Sequence, residues 1–289
     1  MLNYAKTRAW ESDEVRHRYN VKDTILYALG VGFGADLLDA RQRRFVHEHD
    51  LVAVPTMAAV LASPGFWMRD RAELGIDPLR IVHAEQGVHL YAPLPIAGTV
   101  ASRSRVVRVV DKGENRGAHL TVEKQLFDYA TQHLLATAEQ VFVCRGDGGF
   151  SRSSGGDEAP PPLPPLPTSL PDFTADLATR PDAAALYRLS GDLNPLHIDP
   201  HIAAAAGFPR PILHGLATYG IACHALLGTC CEYDPARLAS LHVRMSSPVF
   251  PGDVLRVEGW RVGDRVSFRV AVPARDVIVI SHGRAELRS

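Results

Sequence analysis

The sequence predicts an α+β protein made of two tandem repeats, each an antiparallel sheet wrapped around one helix. Three observations carry that expectation. A Gly/Ser stretch, Gly146-Asp-Gly-Gly149 and Ser151-Arg-Ser-Ser-Gly-Gly156, runs into Pro160-Pro-Pro-Leu-Pro-Pro-Leu-Pro167, and this flexible-then-stiff composition is that of a linker cutting the chain nearly in half. The halves echo each other: Tyr27-Ala-Leu-Gly-Val-Gly32 matches Tyr187-Arg-Leu-Ser-Gly-Asp192, Pro55-Thr-Met-Ala-Ala59 matches Pro211-Ile-Leu-His-Gly215, and Pro93 to Val100 matches Pro248 to Val254. Long stretches of period-two alternation then follow the helical segments in both halves.

The organisation expected is a first repeat over residues 1–148, a linker over 149–170 and a second repeat over 171–289. Pro-rich spacers between domains are commoner than Pro-rich ligands for SH3-like partners, which favours the spacer role. Within the first repeat an apolar helix is expected from Thr56-Met-Ala-Ala-Val-Leu61 onward, followed by strands over 99–110, 119–127 and 134–144. In the second repeat, Asp182-Ala-Ala-Ala-Leu reads as a short helix ending at Ser190-Gly191, where glycine lets the chain reverse. Asp199-Pro200 is an N-cap and first-turn pair that starts another short helix, which stops at Gly207. Residues 216–227 are apolar nearly all round, the pattern of a buried helix. Strands are expected over 254–260, 265–272 and 277–287, with turns such as Gly263-Asp264 making an antiparallel meander with one buried face.

Composition excludes several classes. A chain of 289 residues with 46% apolar residues can fill two cores, and a net charge of −1 gives no broad electrostatic case for nucleic acid or an anionic membrane. No apolar run is long enough to span a bilayer, and the N-terminal segment lacks a signal-peptide apolar core, so a cytoplasmic location is expected. Cys144, Cys223, Cys230 and Cys231 are too few and too irregularly spaced for a disulfide framework, and zinc-site spacings are missing, so no metal is expected. The C-terminal Glu-Leu-Arg-Ser289 is not a Ser-Lys-Leu peroxisomal address.

The chemistry is concentrated in Tyr187-Arg-Leu-Ser-Gly-Asp-Leu-Asn-Pro-Leu-His-Ile-Asp-Pro200. A carboxylate, Asp192, and an imidazole, His197, stand five residues apart on one turn-rich loop, with Asn194-Pro195 fixing the backbone between them. Two groups of different intrinsic pKa held so close make an acid/base pair suited to moving protons around a water. A bare cluster of Asp, Asn, Pro and Gly is usually an ordinary turn, and the length of the matching stretch is what raises this one. Downstream, Pro211-Ile-Leu-His-Gly215 precedes the apolar helix, whose N-terminus offers unpaired N–H groups and the positive end of its dipole. By itself Gly215 is equally compatible with packing the helix against a sheet.

From these residues the chain resembles the hydratase 2 (MaoC-like) family, which hydrates trans-2-enoyl-CoA to (3R)-3-hydroxyacyl-CoA or runs the reverse dehydration. The resemblance implies catalytic roles for Asp192 and His197, a role for Asn194 in orienting the pair and its water, and thioester carbonyl binding by the Gly215 amide. It also covers Tyr19 to Gly32 and His83-Ala-Glu-Gln86 in the first half, where Ala84 departs from the more usual glycine. The implied fold is the double hotdog, and the implied partner is an acyl-CoA thioester, with no further cofactor. Gly32 stands where the second repeat has Asp192, so one active site per duplex is expected, and the silent repeat is free to widen the acyl tunnel or cover CoA. A hotdog thioesterase and a non-catalytic acyl-thioester binding module are the rival functions. His214 is placed either at the site or in a structural role at the helix start, His224 in the core, and a CoA phosphate contact is left open among Arg69, Arg71, Arg103, Arg105, Arg108 and Arg244. Duplication already pairs two sheets, so either a monomer or a homodimer of such units fits.

Overall fold

The computed structural model describes residues 2–288. Ten strands form one continuous antiparallel sheet: β1 (Val15–Tyr19), β2 (Ile81–Leu90), β3 (Gly98–Asp111), β4 (Ala118–Asp128), β5 (Leu134–Cys144), β6 (Phe173–Ala178), β7 (Leu238–Met245), β8 (Val254–Val262), β9 (Arg265–Val272) and β10 (Val277–Leu287). Their spatial order is β1-β3-β4-β5-β2-β7-β10-β9-β8-β6, so each repeat contributes five adjacent strands in the same relative order. The repeats meet at the β2–β7 pair, with Glu85 opposite Arg244 and Gly87 opposite His242. This seam gives each repeat's inner edge strand a partner, removing two open edges.

The α-helices are α1 (Tyr4–Arg8), α2 (Val21–Gly30), α3 (Ala40–Arg43), α4 (Ser151–Ser154), α5 (Ala183–Tyr187), α6 (Pro200–Ala205) and α7 (Gly215–Cys230). Helix α2 starts at a capping box in which the Asn20 side chain accepts from the Lys22 amide and the Asp23 carboxylate accepts from the Asn20 amide. Helix α6 starts as its sequence requires, the Asp199 carboxylate accepting from the His201 amide at 2.8 Å with Pro200 in the first turn. Helix α7 is the central helix of the second repeat, and most of its 16 residues are buried on every side. That explains why its sequence carries almost no polar face. Matched residues of the two repeats meet near the middle of the molecule, where the rings of Tyr27 and Tyr187 lie 6.0 Å apart.

Two departures from the sequence reading stand out. The first repeat has no long central helix: the segment beginning at Pro55 forms only the 3-10 turn Pro55–Ala59. Ala62 takes a left-handed φ of 49°, and Pro64-Gly65 follows, so the chain cannot continue helically. The carbonyls freed there are satisfied by the sheet instead, because Lys124 Nζ donates to Ala59 and Leu61 at 2.9 and 2.7 Å and Ser102 Oγ donates to Ala62 at 2.6 Å. Strands β1, β2, β6 and β7 were also not foreseen. The β2 sequence, Ile-Val-His-Ala-Glu-Gln-Gly-Val-His-Leu, does not alternate cleanly, and its burial is irregular too, with Gln86, Gly87 and Val88 buried in succession.

Candidate active site

The loop between α5 and α6 is built from short-range bonds that its sequence dictates. Gly191 has φ 114°, a conformation open to glycine, and reverses the chain into Asp192. The Asp192 carboxylate accepts from the Asn194 amide at 3.1 Å. The Asn194 side-chain carbonyl in turn accepts from the Leu196 amide at 3.1 Å, capping the 3-10 turn Pro195–His197. Asn194 thus braces the turn that presents His197.

His197 is only 8% exposed. Its Nδ1 lies 2.9 Å from the Ile212 carbonyl, which can only accept, so Nδ1 carries the ring proton and Nε2 keeps its lone pair. Burial holds the imidazole below its usual pKa of 6.5, against the opposing pull of the Ile212 carbonyl and the Asp192 charge. Asp192 is exposed. The pair therefore combines a solvent-facing carboxylate with a neutral, anchored imidazole.

His214 links this pair to α7. Its Nε2–H donates to the Asp192 backbone carbonyl at 3.1 Å, and its ring stacks on that of His197 with centroids 3.7 Å apart and planes 27° apart. One donor atom from each of Asp192, His197 and His214 lies within 4.8 Å of the others. Stacking confines the lone pairs of the two rings to nearly parallel planes. Burial, followed by the nearby His197, pushes His214 down to about 4.

Gly215 follows immediately as the first residue of α7, so its N–H is one of the donors that cannot bond within the helix. A Cβ there would stand 2.6 Å from Met245 Sδ on β7, so the end of that flexible side chain would have to swing aside. Of the buried side-chain polar atoms without partners among the described residues, Tyr187 Oη, Arg188 Nε and Ser190 Oγ belong to the segment leading into the Asp192 loop and His214 Nδ1 to the residue before α7.

The first repeat supplies a wall that sequence reasoning did not assign. His83 on β2 donates from Nε2 to the Glu85 carbonyl at 3.0 Å and feels the charge of Asp192, although burial dominates and lowers it to about 4. Glu85 binds Arg244 at 2.7 Å and His242 at 3.2 Å across the seam. The motif around His83 was visible in the sequence, whereas its nearness to Asp192 needs the seam. Among the arginines considered for CoA phosphates, Arg71, Arg103, Arg105 and Arg244 are each paired with a glutamate. Arg69 lies over the Phe66 ring.

An antiparallel double hotdog carrying one carboxylate–imidazole loop beside the start of its central helix defines the class of protein. Residues 164–282 match the MaoC like domain, and residues 17–146 match the MFE-2 hydratase 2 N-terminal domain. The chain is 40% identical to 3-hydroxyacyl-thioester dehydratase Y of Mycobacterium tuberculosis, covering 88% of this chain and 87% of that one. It is 35% identical to peroxisomal enoyl-CoA hydratase 2 of Arabidopsis thaliana, over 95% of this chain and 92% of that one. It is also 36% identical to the peroxisomal multifunctional enzyme type 2 of Drosophila melanogaster, where it spans all of this chain and only 49% of the larger enzyme. A crystal structure of a MaoC-like dehydratase from Phytophthora capsici superposes with a TM-score of 0.85 at 30% identity, covering 100% of this chain and 99% of that one. The chain belongs to the MaoC-like hydratase 2 family.

Proposed function

We propose that the protein adds water across the double bond of a trans-2-enoyl-CoA to give the (3R)-3-hydroxyacyl-CoA, or runs the reverse dehydration. The observation that carries this reading is the state of His197: its Nδ1–H is committed to the Ile212 carbonyl, so the lone pair of Nε2 is free beside the Asp192 carboxylate. Two acceptors on one loop can hold both hydrogens of a water and leave its oxygen lone pair for C3. The Gly215 N–H, at the positive end of α7, stabilises negative charge developing on the thioester oxygen. Water oxygen bonds to C3, its proton passes to the Asp192–His197 pair, and a proton is delivered to C2, so nothing is oxidised or reduced and the reaction calls for no cofactor. Either member of the pair can take the proton of the water.

Asp192→Asn and His197→Ala are each expected to lower turnover of crotonyl-CoA by about two to four orders of magnitude with the circular dichroism spectrum unchanged. Loss of enoyl absorbance and release of free thiol are followed together. Thiol release would make the protein a thioesterase, silence in both channels with short and long substrates would make it a binding module, and wild-type rates in either variant would remove the dyad assignment. The cytoplasm is the compartment we propose. Two of the relatives are named peroxisomal, and fractionation of the source cells decides between the two locations.

A further inference from the structure

A second cavity, of about 750 Å³, opens on the far part of α7 and includes none of Asp192, Asn194, His197 or Gly215 in its lining. One wall is a single face of α7, formed by Ile221, His224, Ala225 and Gly228 at helical spacing. Beside it lies the glycine-rich loop after α2, which packs on His224 and includes Gly32, the residue that the duplication matches with Asp192, and strand β6 adds Ala175 and Leu177 to the lining. His224 lies nine residues beyond Gly215, roughly 13–14 Å along the helix axis at 1.5 Å per residue. The volume falls in the range of small-molecule pockets.

His224 gives this cavity a chemical preference. The side chain is 4% exposed and stacks on Phe33 with centroids 3.8 Å apart and planes 16° apart. Its Nδ1 is 3.3 Å from the Val31 carbonyl, so Nδ1 bears the proton and Nε2 is a bare acceptor with no hydrogen-bond partner among the described residues. Burial lowers the ring to about 4, which keeps it neutral in a cell. At the rim Arg41 is paired with Asp39, Arg180 with Asp182, and Asp176 with Arg256, while Asp36 carries a negative charge with no ionic partner among the described residues. No unpaired cation among these rim residues can hold a phosphate or a carboxylate.

We propose that this cavity binds a neutral, largely apolar molecule bearing a hydroxyl group, which donates its hydrogen bond to His224 Nε2. The apolar body lies along the Ile221, Ala225 and Phe33 side of the cavity. The same chemistry can arrive as a free alcohol or as the hydroxylated far end of a long acyl chain.

The test is equilibrium binding of 1-decanol and of its methyl ether, which has the same hydrocarbon body and no donor, to the full chain. Wild-type protein is expected to bind the alcohol saturably and about tenfold more tightly than the ether, the worth of one hydrogen bond. His224→Phe, which keeps the stack on Phe33, should erase that preference, and Ala225→Phe, which fills the cavity, should weaken both probes. In ¹⁵N-labelled protein the His224 Nε2 resonance should move with decanol alone. Equal binding of alcohol and ether, no saturable binding, or binding untouched by Ala225→Phe would overturn the proposal. Displacement of decanol by 12-hydroxy-trans-2-dodecenoyl-CoA at lower concentration than by trans-2-dodecenoyl-CoA would identify the hydroxyl as the end of an acyl chain, and no displacement by either would identify a free alcohol. None of these measurements needs turnover, so they stand apart from the hydratase reading.

Discussion

At the scale of single residues, the site works through which atoms are already occupied. His197 spends its Nδ1 proton on a backbone carbonyl, and that one bond fixes the tautomer able to accept a proton on the other nitrogen. Because burial holds this imidazole below its usual 6.5, the protonated form is disfavoured in the folded enzyme. Activity in the hydration direction is therefore expected to stay level as pH falls through 7 and to decline only below about 6.5, in a limb reporting protonation of His197. A pH profile of kcat/KM with its acid limb centred above 6.5 would mean that the imidazole is not shielded as described. Asn194 matters at the same scale through its backbone turn, since its side-chain carbonyl is taken up by the Leu196 amide.

At the scale of elements, the proposed carbonyl site lies at the start of α7, whose first residue is contacted from outside. A Cβ at Gly215 would meet the thioether end of Met245 on β7. Gly215→Ala is expected to cost at most about 1 kcal/mol, the low end for overpacking, because that flexible end can swing aside, and to depress kcat where the displaced thioether crowds the helix start. Adding Met245→Ala should restore most of the stability. If the double variant also regains full kcat, the N–H and not the absence of a side chain is what the reaction uses. The contrast with the first repeat is instructive, because there the matching segment stops after one 3-10 turn and Lys124 and Ser102 take its carbonyls. Apolar composition over 55–62 suggested a helix, and a proline two residues further on, together with donors from strands β3 and β4, decided otherwise.

At the scale of the whole molecule, burial of histidines ties stability to pH. His214 and His224 are both lowered to about 4 from an ordinary 6.5, so the folded state disfavours their protonation while the unfolded chain does not. Between those values the unfolded state binds more protons, hence stability is complete above about 6.5 and falls as pH drops towards 4. Each ring contributes a slope of about 1.4 kcal/mol per pH unit within that window. Urea unfolding at pH 7.5, 6 and 5 should show a falling midpoint, and His224→Phe should make the dependence shallower by one ring's share, because His83 and His214 still titrate. A midpoint that does not move over that range would contradict the burial of these rings.

The sequence alone determined what is local. Gly191, Asn194-Pro195 and Asp199-Pro200 each act on backbone within a few residues, so the loop, its caps and the Asp192–His197 spacing could be read directly, as could the long alternating strands and the apolar helix that follows Gly215. What only the tertiary structure decided is everything that depends on distant segments meeting: the β2–β7 seam, His83 within reach of the Asp192 charge, the stack of His214 on His197, and the cavity between the glycine loop and α7. Hydrogen-bond and dihedral preferences act over a turn or two and leave a mark in residue order. Contacts between repeats are set by how two sheets join and what their helices exclude, which no short window of sequence encodes.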